Sequence, residues 1–142
     1  MDTMIIEMVN RETAAWDGKD IQLLLSVFHP DMVWVWPTDC HEHDPIHWEV
    51  TQGKFDYKRW TIIYSGLFQK YDLVHNRRTI VKTETTNEQD GGFAVVDIDT
   101  LWHDPITGDK MHWFGRTCKT YVKTQDGFKM IAQTGALDYS NH

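Results

Sequence analysis

The chain has 142 residues, of which 41% are hydrophobic and 25% charged, a balance typical of a single folded domain over residues 1–142. Its formal charge of −7 argues against nucleic acid or an anionic membrane as a partner. The sequence contains no apolar run of about 18 residues and no basic N-terminal region, so we expect neither a transmembrane helix nor a secretory signal. With Cys40 and Cys118 as its cysteines, the protein is expected to be cytoplasmic and without structural disulfides.

Helical periodicity characterises three segments in the first half of the chain. In the first segment, residues three to four positions apart form one stripe, and Gly18 marks the end of the helix. That stripe consists of Ile6, Val9, Thr13 and Trp16. Asp20 is a suitable N-cap for the second helix, which Pro30 stops. The three predicted helices are Thr3–Asp17, Ile21–Phe28 and Phe55–Tyr71.

Strand patterns account for most of the remaining chain. A short apolar strand, Met32–Trp36, is predicted after the second helix and is followed by a long loop, Thr38–Gly53. Beyond the third helix, segments rich in Val, Ile, Thr and aromatic residues alternate with turn signals. These segments predict four strands: Leu73–Thr85, Phe93–Trp102, Met111–Lys123 and Phe128–Asp138. The order ααβαββββ therefore predicts an α+β domain with its helices on one side of a curved sheet.

This element order and three short stretches resemble the nuclear-transport-factor-2-like superfamily, which includes ketosteroid isomerase and the SnoaL-like polyketide cyclases. The stretches are Ala14–Asp20, Val27–Trp34 and Asp126–Ile131. The resemblance implies a cone-shaped mixed sheet wrapped around a long helix and enclosing an apolar pocket. It also implies a homodimer that forms through the outer face of the sheet.

The catalytic positions of ketosteroid isomerase carry other residue types in this chain. The position of its general base, before the proline that ends the first strand, is occupied by Trp36. The position of its oxyanion tyrosine is occupied by Glu12, and its second oxyanion acid matches the stretch Arg116–Lys119, which contains no acid. Because proton transfer beside a carbonyl needs a carboxylate base and a donor for the enolate, we do not expect isomerase activity by simple transfer of these roles.

A cluster of histidines lies in the long loop. His41 and His43 are two residues apart and point the same way in an extended segment, so they could bind one zinc or iron ion together with His47 or Asp44. The alternative is a solvated polar loop or a lid over the pocket mouth, and we favour that interpretation and predict no metal. His43 also remains a candidate for proton transfer without a metal.

Two acids on the second predicted long strand are the main catalytic candidates. Alternation in Phe93–Trp102 places Asp97 and Asp99 on the face of Phe93, which lines the pocket if the resemblance holds in register. The basic residues that could pair with them are His75, Arg77 or Arg78, and Arg116. With His43, these two acids are the predicted acid–base residues. The alternative is an ion-pair network at solvent or on the dimer face, since a slip of one residue exchanges the faces.

Aromatic residues make up 13% of the chain, with 7 Trp, 5 Tyr and 6 Phe. Such side chains line apolar pockets, although at helical spacing they are equally suited to a core. The predicted substrate-binding residues are Trp16, Trp36, Trp60, Tyr64, Arg116 and His112.

Three functional hypotheses follow. The preferred one is a protein that binds a small apolar, aromatic or polycyclic molecule. If it also catalyses a reaction, we expect an acid–base lyase, isomerase or cyclase that uses no organic cofactor. The second is a non-catalytic ligand-binding or dimerisation module whose cone is filled by its own tryptophans. The third is a metal-binding protein that uses the histidine loop.

Overall fold

The computed structural model describes residues 3–34, 46 and 54–137, and these form an α+β fold in the predicted order ααβαββββ. The helices are α1 (Thr3–Asp17), α2 (Ile21–Leu25) and α3 (Tyr57–Lys70). The strands are β1 (Phe28–Trp34), β2 (Asp72–Thr85), β3 (Gly91–His103), β4 (Lys110–Thr124) and β5 (Gly127–Leu137). None of the described helices is both long and apolar enough to cross a membrane.

The five strands form one mixed sheet in the order β1-β5-β4-β3-β2. Strand β1 runs parallel to β5, and the other neighbours are antiparallel, as expected for strands joined by tight turns. One of those turns is built on Asp104, whose carboxylate accepts hydrogen bonds from the backbone N–H groups of Ile106 and Thr107. The sheet is therefore a meander of four long strands with β1 added along β5.

The second helix is shorter than predicted. It begins after Asp20, whose side chain caps it as expected, but it ends at Leu25, and Phe28 already belongs to β1. The helical spacing that included Phe28 is overridden by pairing with β5, where Met130 N donates to Val27 O at 2.7 Å. Tertiary hydrogen bonding therefore decides the boundary between α2 and β1.

The helices cover one face of the sheet, which we call the inner face; the opposite side is the outer face. Helix α1 packs against β2, β3 and β5. On β3 the buried, inner-face residues are Ala94, Val96, Ile98, Thr100 and Trp102. Asp97 and Asp99 lie on the outer face, so the pocket-lining register does not hold on β3, and both acids form the ion pairs expected from the alternative. The residues of the opposite face, from Ala94 to Trp102, are buried instead.

The buried stripe of α1 also differs from the predicted one. Ile5, Met8 and Glu12 are buried along with Val9 and Trp16, whereas Ile6 is 39% exposed. The stripe is therefore rotated by about one residue, and it places a carboxylate among apolar side chains.

Two glycines give a matched test of backbone packing. A Cβ at Gly92 would lie 2.3 Å from the backbone oxygen of Glu84 on β2, whereas a Cβ at Gly66 in α3 would meet no atom within 4 Å. We expect Gly92→Ala to destabilise the protein by about 1–3 kcal/mol, because backbone atoms must move. Gly66→Ala should stabilise it by about 0.5–1 kcal/mol through helix propensity. Urea denaturation measures both effects, and equal behaviour of the two variants would contradict this account of the β2–β3 contact.

Candidate functional site

The aromatic residues assigned to substrate binding lie in the core. Trp16, Trp60 and Tyr64 are at most 2% exposed. The ring of Trp16 makes edge-to-face contacts with four aromatic rings, at centroid distances of 5.3 to 6.3 Å. Those rings belong to Tyr64, Phe68, Trp102 and Trp113. In the described part of the chain, these residues form a packed aromatic interior around Trp16.

Beside this interior lies a group of buried polar side chains that we call the inner cluster. It consists of Glu12 on α1, Arg78 on β2, Lys119 and Tyr121 on β4, and Gln133 on β5. Glu12 Oε2 accepts hydrogen bonds from Trp16 Nε1 at 2.9 Å and from Arg78 Nη1 at 3.1 Å. Glu12 Oε1 lies 2.9 Å from Lys119 Nζ, which also donates to Gln133 Oε1. One carboxylate thus joins the first helix to two strands.

The inner cluster contains two cations for one carboxylate. Burial alone would raise the pKa of Glu12, but the charges of Lys119 and Arg78, with the hydrogen bonds from Trp16 and Lys119, lower it to about 2. Burial and the charge of Arg78 lower the pKa of Lys119, although Glu12 opposes this shift. Burial, reinforced by Glu12, raises the pKa of Tyr121, whose hydroxyl has no hydrogen-bond partner among the described residues. The cluster therefore combines two basic side chains with one buried carboxylate and contains a hydroxyl donor without a partner among the described residues.

The sequence contains a weak signal for this cluster. Glu12 lies four residues after Met8 and four before Trp16, so it belongs to the buried stripe of α1. On β4, Lys119 lies two residues from each of the buried residues Thr117 and Tyr121, so the three side chains share one face. Charged residues within an apolar pattern indicate a buried polar site, but from sequence alone they are equally compatible with a solvated face.

Asp97 and Arg116 form a surface pair on the outer face. Arg116 donates to the two carboxylate oxygens of Asp97 at 2.7 and 3.0 Å, and these hydrogen bonds lower the pKa of Asp97. The side chains are 44% and 62% exposed, so the pair contributes little to stability. These two predicted site residues therefore meet each other, outside the aromatic interior.

Asp99 belongs to a second cluster on the outer face, which we call the outer triad and which consists of His75, Asp99 and His112. Asp99 Oδ1 lies 2.8 Å from His75 Nε2 and 2.5 Å from His112 Nε2. Burial disfavours the charge of Asp99, but the hydrogen bonds with His112 and His75 lower its pKa. Next to the triad, an open depression of about 630 Å³ is lined by Arg77, Phe114 and Arg116, among others. The triad is half-buried and reachable from solvent.

A β-bulge directs His75 toward this triad. In the β2–β3 pairing, Leu73 opposes the inner-face residue Trp102, and the register then shifts so that His75 opposes Leu101 on the outer face. Simple alternation from Leu73 would place His75 on the inner face. The bulge therefore brings His75 to the side of Asp99, which is a common use of bulges beside functional residues.

Four predicted site residues lie outside the described residues. They are Trp36, His41, His43 and His47. The roles proposed for them in ligand binding, proton transfer and metal binding stay predictions.

Solved structures with the same architecture come from several bacteria. A ketosteroid isomerase-like protein of Erwinia carotovora atroseptica superposes with a TM-score of 0.69 at 12% identity, covering 92% of this chain and 91% of that one. A conserved protein of Planctomyces limnophilus gives a TM-score of 0.74 at 12% identity, covering 96% and 94%. A nuclear-transport-factor-2-like protein of Rhodospirillum rubrum gives 0.67 at 18% identity, covering 94% and 97%. The chain has the nuclear-transport-factor-2-like fold.

No protein-family model matches the sequence, and no curated protein is detectably similar to it. At these identities, a shared nuclear-transport-factor-2-like fold establishes architecture and not reaction chemistry. Two of the positions compared with ketosteroid isomerase nevertheless come together in this structure. Glu12, at the position of the oxyanion tyrosine, is ion-paired with Lys119, at the end of the stretch matched to the late-strand acid. The third position, Trp36, lies outside the described residues.

The inner cluster predicts a large effect of a nearly isosteric substitution. Glu12→Gln leaves Arg78 and Lys119 buried without a counter-charge, so it should lower the free energy of unfolding by about 3–5 kcal/mol at neutral pH. Glu7→Gln is the matched control on the same helix, because Glu7 is exposed and pairs only at the surface with Arg11. That control should change stability by less than about 0.5 kcal/mol in urea denaturation. Similar losses in both variants would contradict the role assigned to Glu12.

The same carboxylate predicts a specific pH dependence. Because folding lowers the pKa of Glu12 from 4.5 to about 2, its stabilising contribution is complete above pH 4.5 and is lost as the pH falls toward 2. The difference in unfolding free energy between the wild type and Glu12→Gln should therefore shrink across this range. Denaturation curves from pH 6 downward, to about pH 2 where the native state allows, measure the difference, and a constant difference would contradict the assignment.

Proposed function

We propose that the chain binds a small aromatic molecule with one anionic group, the ring system lying against the tryptophans of the interior and the anion at the inner cluster. The observation that carries this proposal is the composition of the cluster. Arg78 and Lys119 share a single buried carboxylate, that of Glu12, with the exposed Asp17 as a more weakly acting charge on Arg78. The Tyr121 hydroxyl beside them has no partner among the described residues.

Charge balance supports an anionic ligand. Buried charges are normally paired, and a buried cation without a counter-charge costs several kcal/mol. A carboxylate, phenolate or enolate near Lys119 and Arg78 would neutralise the excess charge, and the Tyr121 hydroxyl could donate a hydrogen bond to it. All of these side chains lie deep in the fold, where electrostatic interactions are stronger than in water.

The surrounding aromatic residues support a ring-containing ligand. Trp16 bridges the two environments, since its Nε1 donates to Glu12 while its ring packs against other aromatic rings. Flat apolar surfaces beside a few fixed polar groups are typical of pockets for small aromatic molecules. The ketosteroid isomerase-like label of one structural neighbour supports a small-molecule role by analogy only.

A catalytic form of this function would be an acid–base lyase, isomerase or cyclase. Asp97 and Asp99 lie on the outer face, so they do not supply the proton-transfer group of the interior. Lys119 is the better candidate, because burial and the charge of Arg78 lower its pKa, so the charged amine gives up a proton more readily than an exposed lysine does. His43 stays a second candidate. A homodimer through the outer face and a cytoplasmic location remain predictions of the sequence resemblance.

One observation favours the non-catalytic alternative, in which tryptophans fill the cone. Trp16, Trp60 and Trp102 are at most 2% exposed and, with the rings around them, form a packed group. An interior filled in this way should bind neither neutral nor anionic aromatic molecules, so a binding experiment separates the two proposals.

Calorimetric titration with 2-naphthoate and with neutral 2-naphthamide tests the anionic-ligand proposal. The two probes share a ring system, so tighter binding of the carboxylate measures how much the buried cations contribute to the affinity. Tyr121→Phe removes a hydrogen bond to a charged group, worth about 1.5–3 kcal/mol, and should weaken 2-naphthoate binding by about tenfold or more. The same variant should be at least as stable as the wild type, because it removes a buried hydroxyl without a partner.

Arg116→Met is the matched control for charge, since it removes a cation from the outer face. It should leave 2-naphthoate binding unchanged, whereas Lys119→Met should abolish the preference for the carboxylate. The proposal is overturned if 2-naphthoate does not bind, or if Arg116→Met and Tyr121→Phe weaken its binding equally.

A further inference from the structure

We propose that His75, Asp99 and His112 form a site for one divalent transition-metal ion on the outer face of the sheet. Two imidazoles and one carboxylate are the ligand set that zinc and ferrous iron commonly use. Within the described part of the chain, this is the only group of three His, Cys, Asp or Glu side chains whose ligand atoms converge in this way.

The distances suit a shared ion. The three ligand atoms, His75 Nε2, Asp99 Oδ1 and His112 Nε2, all lie within 4.8 Å of one another. Ligands bound at about 2.1 Å from one ion are about 3–3.4 Å apart. The contacts of 2.8 and 2.5 Å to Asp99 therefore need to widen by less than about 1 Å, which small side-chain rotations can supply.

The backbone positions these ligands from three adjacent strands. His75 opposes Leu101 on β3, His112 opposes Leu101 from β4, and Asp99 lies two residues before Leu101 on the same face. The bulge in β2 turns His75 outward, so all three donors approach from one side of the sheet. An ion held by three donors on one side retains open coordination positions on the other.

The surroundings limit what the site can do. In the single chain the side chains of the triad are 10–26% exposed, so the donors are anchored by packing and an ion between them would be in contact with solvent. Arg77 Nη1 lies 3.5 Å from the second oxygen of Asp99 and favours the charged carboxylate. Arg77 and Arg116 line the adjacent depression together with Asp99 and Asp97, the acids with which they pair, so the depression contains both charge signs beside the open coordination positions.

The proposal does not involve the histidine loop or the inner cluster. Asp99 points to the outer face, and its neighbour Thr100 points to the inner face, where its Oγ1 donates to Asn76 Oδ1 at 2.7 Å. The two faces can therefore be changed separately by substitution. His41, His43 and His47 constitute a different candidate set, which the experiment must distinguish from the outer triad.

The test uses the full chain purified without a histidine tag. Calorimetric titration with Zn²⁺ should give one equivalent bound, and visible absorption of Co²⁺ should report imidazole and carboxylate coordination. His75→Ala, Asp99→Asn and His112→Ala should each weaken Zn²⁺ binding by at least about tenfold, since even residues that merely orient ligands change metal affinity by that much. Thermal melting curves check folding, and Asp99→Asn keeps the side-chain shape if an alanine variant does not fold.

Two control variants make the result specific. Asp97→Asn changes an acid two residues away on the same face and should leave Zn²⁺ binding unchanged. The triple variant His41→Ala/His43→Ala/His47→Ala should retain one equivalent at wild-type affinity. The proposal is overturned if the wild type binds no Zn²⁺ saturably, if Asp99→Asn binds it as the wild type does, or if the triple variant alone loses it.

Discussion

The arrangement of this fold depends on one carboxylate buried between α1 and the sheet. Glu12 accepts hydrogen bonds from Trp16 and Arg78 and is ion-paired with Lys119, so it connects the helix to β2 and β4. Two inward-pointing cations would otherwise be buried without a counter-charge, at a cost of several kcal/mol. The same contact sets the orientation of Trp16, around which the aromatic rings of α3, β3 and β4 pack.

The sheet separates two chemical environments by the alternation of its side chains. On β3, Thr100 hydrogen-bonds to Asn76 beside the inner cluster, while the preceding residue, Asp99, contacts His75 and His112 on the other face. Two consecutive residues of β3 therefore contact different groups of side chains, one on each face of the sheet. A bulge in β2 is required for this arrangement, because it places His75 on the opposite face of the sheet from Leu73.

Much of the fold could be predicted from the sequence, because turn residues and β-branched runs are local signals. The third strand, expected over Phe93–Trp102, extends over Gly91–His103. The face of that strand could not be predicted, since a period of two defines two faces without indicating which one meets the helices. The β2 bulge was missed for a related reason: its register depends on pairing with β3. Glu12 was named by comparison with ketosteroid isomerase, but its burial depends on cations distant in sequence.

Stability alone is a poor explanation for the inner cluster. Buried ion pairs can often be replaced by well-packed apolar residues without loss of stability, and a second buried cation adds a desolvation cost. One cation would have sufficed to neutralise Glu12, yet both Arg78 and Lys119 lie within 3.1 Å of it. The Tyr121 hydroxyl adds a further cost while it has no partner. Both costs apply to the protein without a ligand and would fall if an anion paired with these groups, which supports the ligand-binding role proposed for the cluster.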